Sequence, residues 1–219
     1  MRTWNLWLRY LLFTSLTVLI AYLWLDRPIS LFVHDTFHHR SHEISVALTQ
    51  LPDPLIGIAN IIFVVIGLLA LFGRALSKHE RAAFISSMSV IFAASIKNQL
   101  KFLLGRTWPE TWIKNNPSFI HDRVYGFNFM HGGAGYESFP SGHMAVTCAV
   151  ISVLWIYYPQ LRWAYVIVGL AVALGLIGAD FHFLSDVIAG SFIGISTAWM
   201  SMAILSATNT NNRPAARSK

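Results

Sequence analysis

Six apolar stretches, residues 4–25, 55–72, 82–104, 144–158, 163–181 and 183–205, divide this chain and leave few folds open to it. Most of them approach the roughly 20 residues that a helix needs to cross a hydrocarbon core. Inside a bilayer the backbone N–H and C=O groups have no water to pair with, so such a segment satisfies them internally as a helix. The expectation is an all-α, polytopic membrane protein, with about six transmembrane helices in a bundle. Hydrophobic residues form 55% of the 219 and charged residues only 12%, which excludes a soluble domain of this size. One domain is expected over residues 1–219, ending in a polar, disordered tail at 206–219.

The formal charge of +6 does not point to nucleic acid, because the basic residues are scattered between apolar runs and form no stripe. They read instead as a topology signal. With the N-terminus inside, the basic residues of the start, of the 74–81 loop, Arg162 and those of the tail all fall on the cytoplasmic side, while Arg27 and Arg40 lie opposite. Both termini are then cytoplasmic in an inner (plasma) membrane, and the first stretch is a retained helix rather than a cleaved signal peptide. Cys148, the single cysteine, sits inside an apolar run and reads as packing.

The segment 26–53 is polar and histidine-rich, and its intermittently apolar part suits the membrane interface. His34, His38 and His42 recur at i, i+4 and so share a helical face, a spacing that suits zinc. Short histidine runs are commonly solvated, and no metal or cofactor is expected. Lys97 and Lys101 lie near the end of the third stretch. Lys101 is read as functional and Lys97 as snorkelling to the interface.

The chemistry gathers at Ser138-Phe-Pro-Ser-Gly-His143, where a long polar connection gives way to the fourth stretch. Ser141 and Gly142 would leave open backbone N–H groups at a helix start, which is an anion site. His143 adds a titratable ring beside it. Further on, His182 and Asp186 are one helical turn apart, so the carboxylate can hold one ring nitrogen and leave the other free to attack. In the six-helix arrangement Lys101, His143 and His182 all fall at helix ends on the outer, periplasmic side.

Lys101-Phe-Leu-Leu-Gly-Arg106-Thr-Trp-Pro109, Pro140-Ser-Gly-His143 and His182-Phe-Leu-Ser-Asp186 resemble the three signature motifs of the type-2 phosphatidic acid phosphatases, in order, across about residues 84–198. That superfamily also includes prenyl-pyrophosphate phosphatases, glucose-6-phosphatase and vanadium haloperoxidases. The resemblance implies a membrane phosphatase that hydrolyses a lipid phosphate or pyrophosphate without a metal, through a phosphohistidine. It makes His182 the nucleophile, Asp186 its orienting carboxylate and His143 the general acid. Lys101, Ser141 and Gly142 would hold the phosphate oxygens. The phosphorylated lipid and membrane lipids are the implied partners.

Two arginines of the family pattern are missing. Trp108 stands where the first motif has arginine before its proline, and Gly175 and Leu176 replace the Ser-Arg pair that opens the third. Arg106 is the nearest candidate for the first gap, as a phosphate ligand, and Arg123 for the second. The alternative function is a catalytically degenerate member that binds phospholipid or serves as a membrane scaffold or transport component. Trp112, Phe119, Tyr125, Phe127, Phe129 and Tyr136 fit either an acyl or prenyl entrance or an interfacial belt.

Overall fold

The computed structural model describes residues 2–50, 52–112 and 115–211, with the side chains at 2–4, 38–41 and 207–211 outside that set. Among the described residues it is helical, with only isolated β-bridges and no β-strand. The helices are α1 (Arg2–Ile20), α2 (Asp26–Thr49), α3 (Leu55–Leu71), α4 (Lys78–Leu104), the short α5 (Phe119–Asp122), α6 (Gly142–Tyr157), α7 (Arg162–Gly178) and α8 (Leu184–Asn211).

Among the described residues three helical stretches are long and apolar enough to cross a membrane: Asn5–Phe37, Pro159–Gly178 and Leu184–Ser206. Leu55–Leu71 and Gly142–Tyr157 are apolar but shorter. Large side chains such as Phe13, Leu16, Ile61, Leu71, Ile167 and Leu174 are exposed along α1, α3 and α7, as suits a lipid-facing surface. These apolar helices mark a membrane protein.

The first apolar stretch does not stop where the polar sequence begins. A π-helical turn at Ala21–Leu25 joins α1 to α2, so one helical rod runs from Arg2 to Thr49. Asp26, the first residue of the polar segment, is 1% exposed. It tolerates burial because Arg106 Nη2 (2.8 Å) and the Ser185 backbone N–H (2.9 Å) donate to it. α8 likewise continues past Ser206 to Asn211, and the rest of the expected tail, 212–219, lies outside the described residues.

α8 runs against α6, α4 and α1, while α7 leans on α2. The α6–α8 contact is close because Gly190 and Gly194 carry no side chain: a Cβ at either would collide with the backbone oxygens of Ser141 and Ala145. Val90, Ala93, Ala145, Ala149 and Ile193 fill the space between α4, α6 and α8. Cys148 packs with Val172 and Leu176 between α6 and α7, the bland role expected of it. A capping box at Ser77 and Glu80 starts α4. Gly105, at φ 54°, ends it in the left-handed region, where a Cβ would strike the Asn128 carbonyl. That sharp stop turns Arg106 into the protein instead of along the helix.

Candidate active site

Two helix ends and one interhelical link meet at one side of the bundle. The last turns of α4 bring Lys97 and Lys101, one turn apart on one face; the start of α6 brings Gly142 and His143; the link from α7 to α8 brings His182. All five line one cavity of about 310 Å³. Trp108 forms a wall, with its ring centroid 5.1 Å from that of His182 and Lys101 Nζ 5.5 Å from the indole centroid.

His182 precedes α8 rather than sitting in it, and is nine-tenths or more buried. Its Nδ1 lies 3.5 Å from Asp186 Oδ2, a charge contact longer than a good hydrogen bond. The Nε2 is therefore the ring nitrogen turned away from the carboxylate. Asp186 is itself fixed from several directions. Its Oδ2 accepts from Ser138 Oγ (2.6 Å) and from the Phe183 N–H (2.9 Å), and its Oδ1 accepts from Arg106 Nη1. The Ser141 N–H donates to the Asp186 carbonyl at 3.0 Å, so the starts of α6 and α8 are tied together beside the cavity.

Burial pushes the His182 imidazole down to about 4, against the opposing pull of Asp186. A lowered value keeps the ring neutral, and hence nucleophilic, well below its ordinary range. The acid limb of kcat/KM due to this group is expected near pH 4 instead of about 6.5. Stability carries the same sign: the unfolded chain binds this proton first, so stability falls as pH drops from about 6.5 towards 4. A pH profile of kcat/KM, set beside melting temperatures over the same range, checks both.

His143 Nε2 pairs with Asp53 Oδ1 at 2.8 Å. Asp53 comes from the turn before α3 and also lines the cavity, a partner that the sequence motifs do not mark.

Four expectations need correction. Arg106 is not a phosphate ligand in this structure: it is fully buried, and its guanidinium donates to Asp26, Asp186 and Ser185. The two carboxylates hold that cation away from the cavity. Ser141 is also fully buried, and its hydroxyl accepts from the Met144 N–H as the N-cap of α6, so its side chain does not face the cavity. Arg123 is exposed, lies over the Phe119 ring and does not reach the gap at Leu176, which is itself buried in core packing. Lys97 does not snorkel away. It joins Lys101 in the cavity, with its end packed where a Cβ on Gly142 would sit at 3.2 Å from Nζ. Gly142 thus lets a second ammonium approach the helix start.

The loop aromatics divide. Trp112 lines the cavity and packs edge-on to Phe181, with centroids 4.5 Å apart. Tyr125 and Phe127, with Tyr22 and Phe183, surround the Arg106 guanidinium, at 4.3 to 5.2 Å from Cζ to ring centroids, and Phe127 also lines an apolar cavity of about 950 Å³ beside α1, α4 and α8. Of the histidine run, His34 turns to Asp180 and Glu110, His42 stacks on Trp112 at 5.8 Å, and the side chain of His38 lies outside the described residues.

Comparison with known proteins gives one family and few relatives. The family model described as the PAP2 superfamily matches residues 82–210. Proteins named lipid A 1-phosphatase from Rhizobium etli and Rhizobium johnstonii are each 30% identical over 115 residues, which is 52% of this chain. That stretch is 45% and 43% of those relatives, so the matched part is a little under half their length. The crystal structure of Aquifex aeolicus LpxE shares the fold, with a TM-score of 0.56 over 82% of this chain and 95% of that one, at 16% identity.

Proposed function

We propose that this chain, which belongs to the PAP2 superfamily, hydrolyses a lipid phosphate or pyrophosphate through a phosphohistidine at His182. One observation carries the reading. A buried histidine with a carboxylate at Nδ1 shares a cavity with a second histidine, two lysines and a helix start. A binder needs the cations but has no use for the nucleophile and the acid.

In this reading the phosphate oxygens lie between Lys97, Lys101 and the first N–H groups of α6. Charge spread over the phosphoryl oxygens in the transition state is what such fixed donors stabilise. His182 Nε2 forms a bond to phosphorus as the bond to the leaving oxygen breaks, and His143, held by Asp53, gives that oxygen a proton. Water then attacks the phosphohistidine, His143 takes back a proton, and inorganic phosphate leaves. Asp186 holds the ring throughout and stabilises the positive charge it carries while bonded to phosphorus.

The two ammonium groups stand in for the missing guanidinium forks, as point charges rather than bidentate clamps. Lys97→Met and Lys101→Met keep the side-chain length and remove the charge. Each is expected to lower kcat by about 100-fold or more, the scale of losing one transition-state donor. Initial rates on the two variants measure this. A silent Lys97→Met would return that residue to the membrane interface.

Substrate and placement belong to the same proposal. The names of the two Rhizobium relatives put the 1-phosphate of lipid A first in a panel with phosphatidic acid, phosphatidylglycerol phosphate, undecaprenyl pyrophosphate and glucose 6-phosphate. Six crossings, with both termini cytoplasmic and the cavity at the outer face of the inner membrane, fit the basic loops and the shared end of α4, α6 and α8. Phosphate release by purified protein in detergent, substrate by substrate, tests the activity. No release from any of them would favour the second reading, a phospholipid binder. The observation behind that reading is that neither Arg106 nor Arg123 fills a family arginine position.

A further inference from the structure

The cluster around His34 lies outside the catalytic constellation, although it draws on the same link. His34 comes from the middle of α2, Glu110 from the connection after α4, and Asp180 from the turn after α7. Glu110 and Asp180 are buried, at 5% and 1% exposure, and His34 is intermediate. One donor atom from each lies within 4.8 Å of the others. His34 Nδ1 is 2.9 Å from Asp180 Oδ2 and 3.5 Å from Glu110 Oε2.

Those separations have a meaning. Ligands at about 2.0–2.1 Å from a tetrahedral ion sit about 3.3 Å apart, and the two distances bracket that value. The donors also suit it: one imidazole nitrogen and two carboxylate oxygens are a borderline ligand set, which favours zinc and its neighbours over calcium or magnesium. Glu110 is already aimed. Its Oε1 accepts from the Thr111 N–H at 2.7 Å and faces His121 Nε2 at 2.6 Å, which leaves Oε2 for the cluster. An outer partner of this kind commonly orients a ligating carboxylate.

We propose that His34, Glu110 and Asp180 bind one divalent transition-metal ion, of the zinc class, with His121 holding Glu110 in place. The ion would pin α2, the long connection and the α7–α8 link to one another. Two cavity-lining residues hang from those segments: Trp112, whose Nε1 donates to the Asp180 carbonyl at 3.2 Å, and Phe181. The site thus fixes a wall of the cavity and takes no part in phosphoryl transfer. It combines His34 of the histidine run with carboxylates from elsewhere in the chain.

Full-length protein in detergent, stripped with a chelator and titrated with Co²⁺, provides the test. Wild type is expected to take up one equivalent with the visible absorption of a low-coordinate Co²⁺ centre, and Zn²⁺ displaces it. Zn²⁺, and not Mg²⁺, should raise the melting temperature of the stripped protein. His121→Ala, at an exposed position, should weaken binding by the roughly 10- to 100-fold typical of an outer partner. His34→Gln and Glu110→Gln should each weaken it further. Failure of wild type to bind one equivalent overturns the site whatever the variants do. Binding undiminished in both His34→Gln and Glu110→Gln overturns it equally, since the ion then sits elsewhere.

Discussion

His182→Ala is expected to remove turnover while the protein stays folded. The ring is buried beside Trp108 and Asp186, and no other imidazole stands where it does in the cavity. His143 is only half-buried and is held by Asp53, so it is poorly placed to form the covalent bond in its stead. Loss of a nucleophile that works as a unit with its partners typically costs a factor of at least about 10,000, which here means background. Wild type quenched in base should retain labelled phosphate in a bond that acid then releases, and the variant should retain none. A variant that still releases phosphate at near the wild-type rate would remove His182 from the chemistry. Vanadate inhibition of wild type provides a second readout, because a five-coordinate mimic of the transition state binds the same cradle.

What the sequence made legible follows from spacing. Residues four apart share a helical face, and that spacing marks His182 and Asp186 as a pair even though His182 itself lies just before α8. The errors came from questions that local pattern does not address. Whether Lys97 faces lipid or cavity depends on which neighbour lies over its face of α4, and that neighbour is Gly142, about forty-five residues on in the chain. Asp53 reaches His143 from a turn that carries no motif. Ser141 sits in the signature yet serves the helix as its cap, a role that the same Ser-Gly-His order allows equally well. At Asp26 the polar sequence begins but the helix does not end. A charged residue after an apolar run normally marks the water boundary, but here its counter-ion is buried with it, and the helix continues through a π-helical turn.

Arg106 is where position in a motif and position in space disagree most, and its substitution decides between them. Arg106→Leu is expected to destabilise the protein heavily rather than merely slow it. The guanidinium is fully buried, with Nη1 and Nη2 directed to Asp186 and Asp26 and four aromatic rings around it. Leucine fills much of the space but leaves two carboxylates in an apolar cage without their cation. Removing one partner of a buried pair costs about 3–5 kcal/mol, because the charge left behind has lost water as well as its partner. For a chain of this length each kcal/mol moves the melting temperature by roughly 2–4 °C, so a fall on the order of 10 °C is expected. Arg106→Lys should recover only part of it, since one ammonium cannot reproduce a fork shared between two carboxylates. Asp26→Asn in the Arg106→Leu background should recover more, because it removes one of the two stranded charges. Turnover also falls in Arg106→Leu, through Asp186 losing an anchor, but the thermal shift is the telling measurement. A phosphate ligand at the cavity edge would behave in the opposite way, with Arg106→Leu melting like wild type and only kcat reduced. That outcome would put the guanidinium back in the cradle and leave Asp26 to be neutralised by some other group.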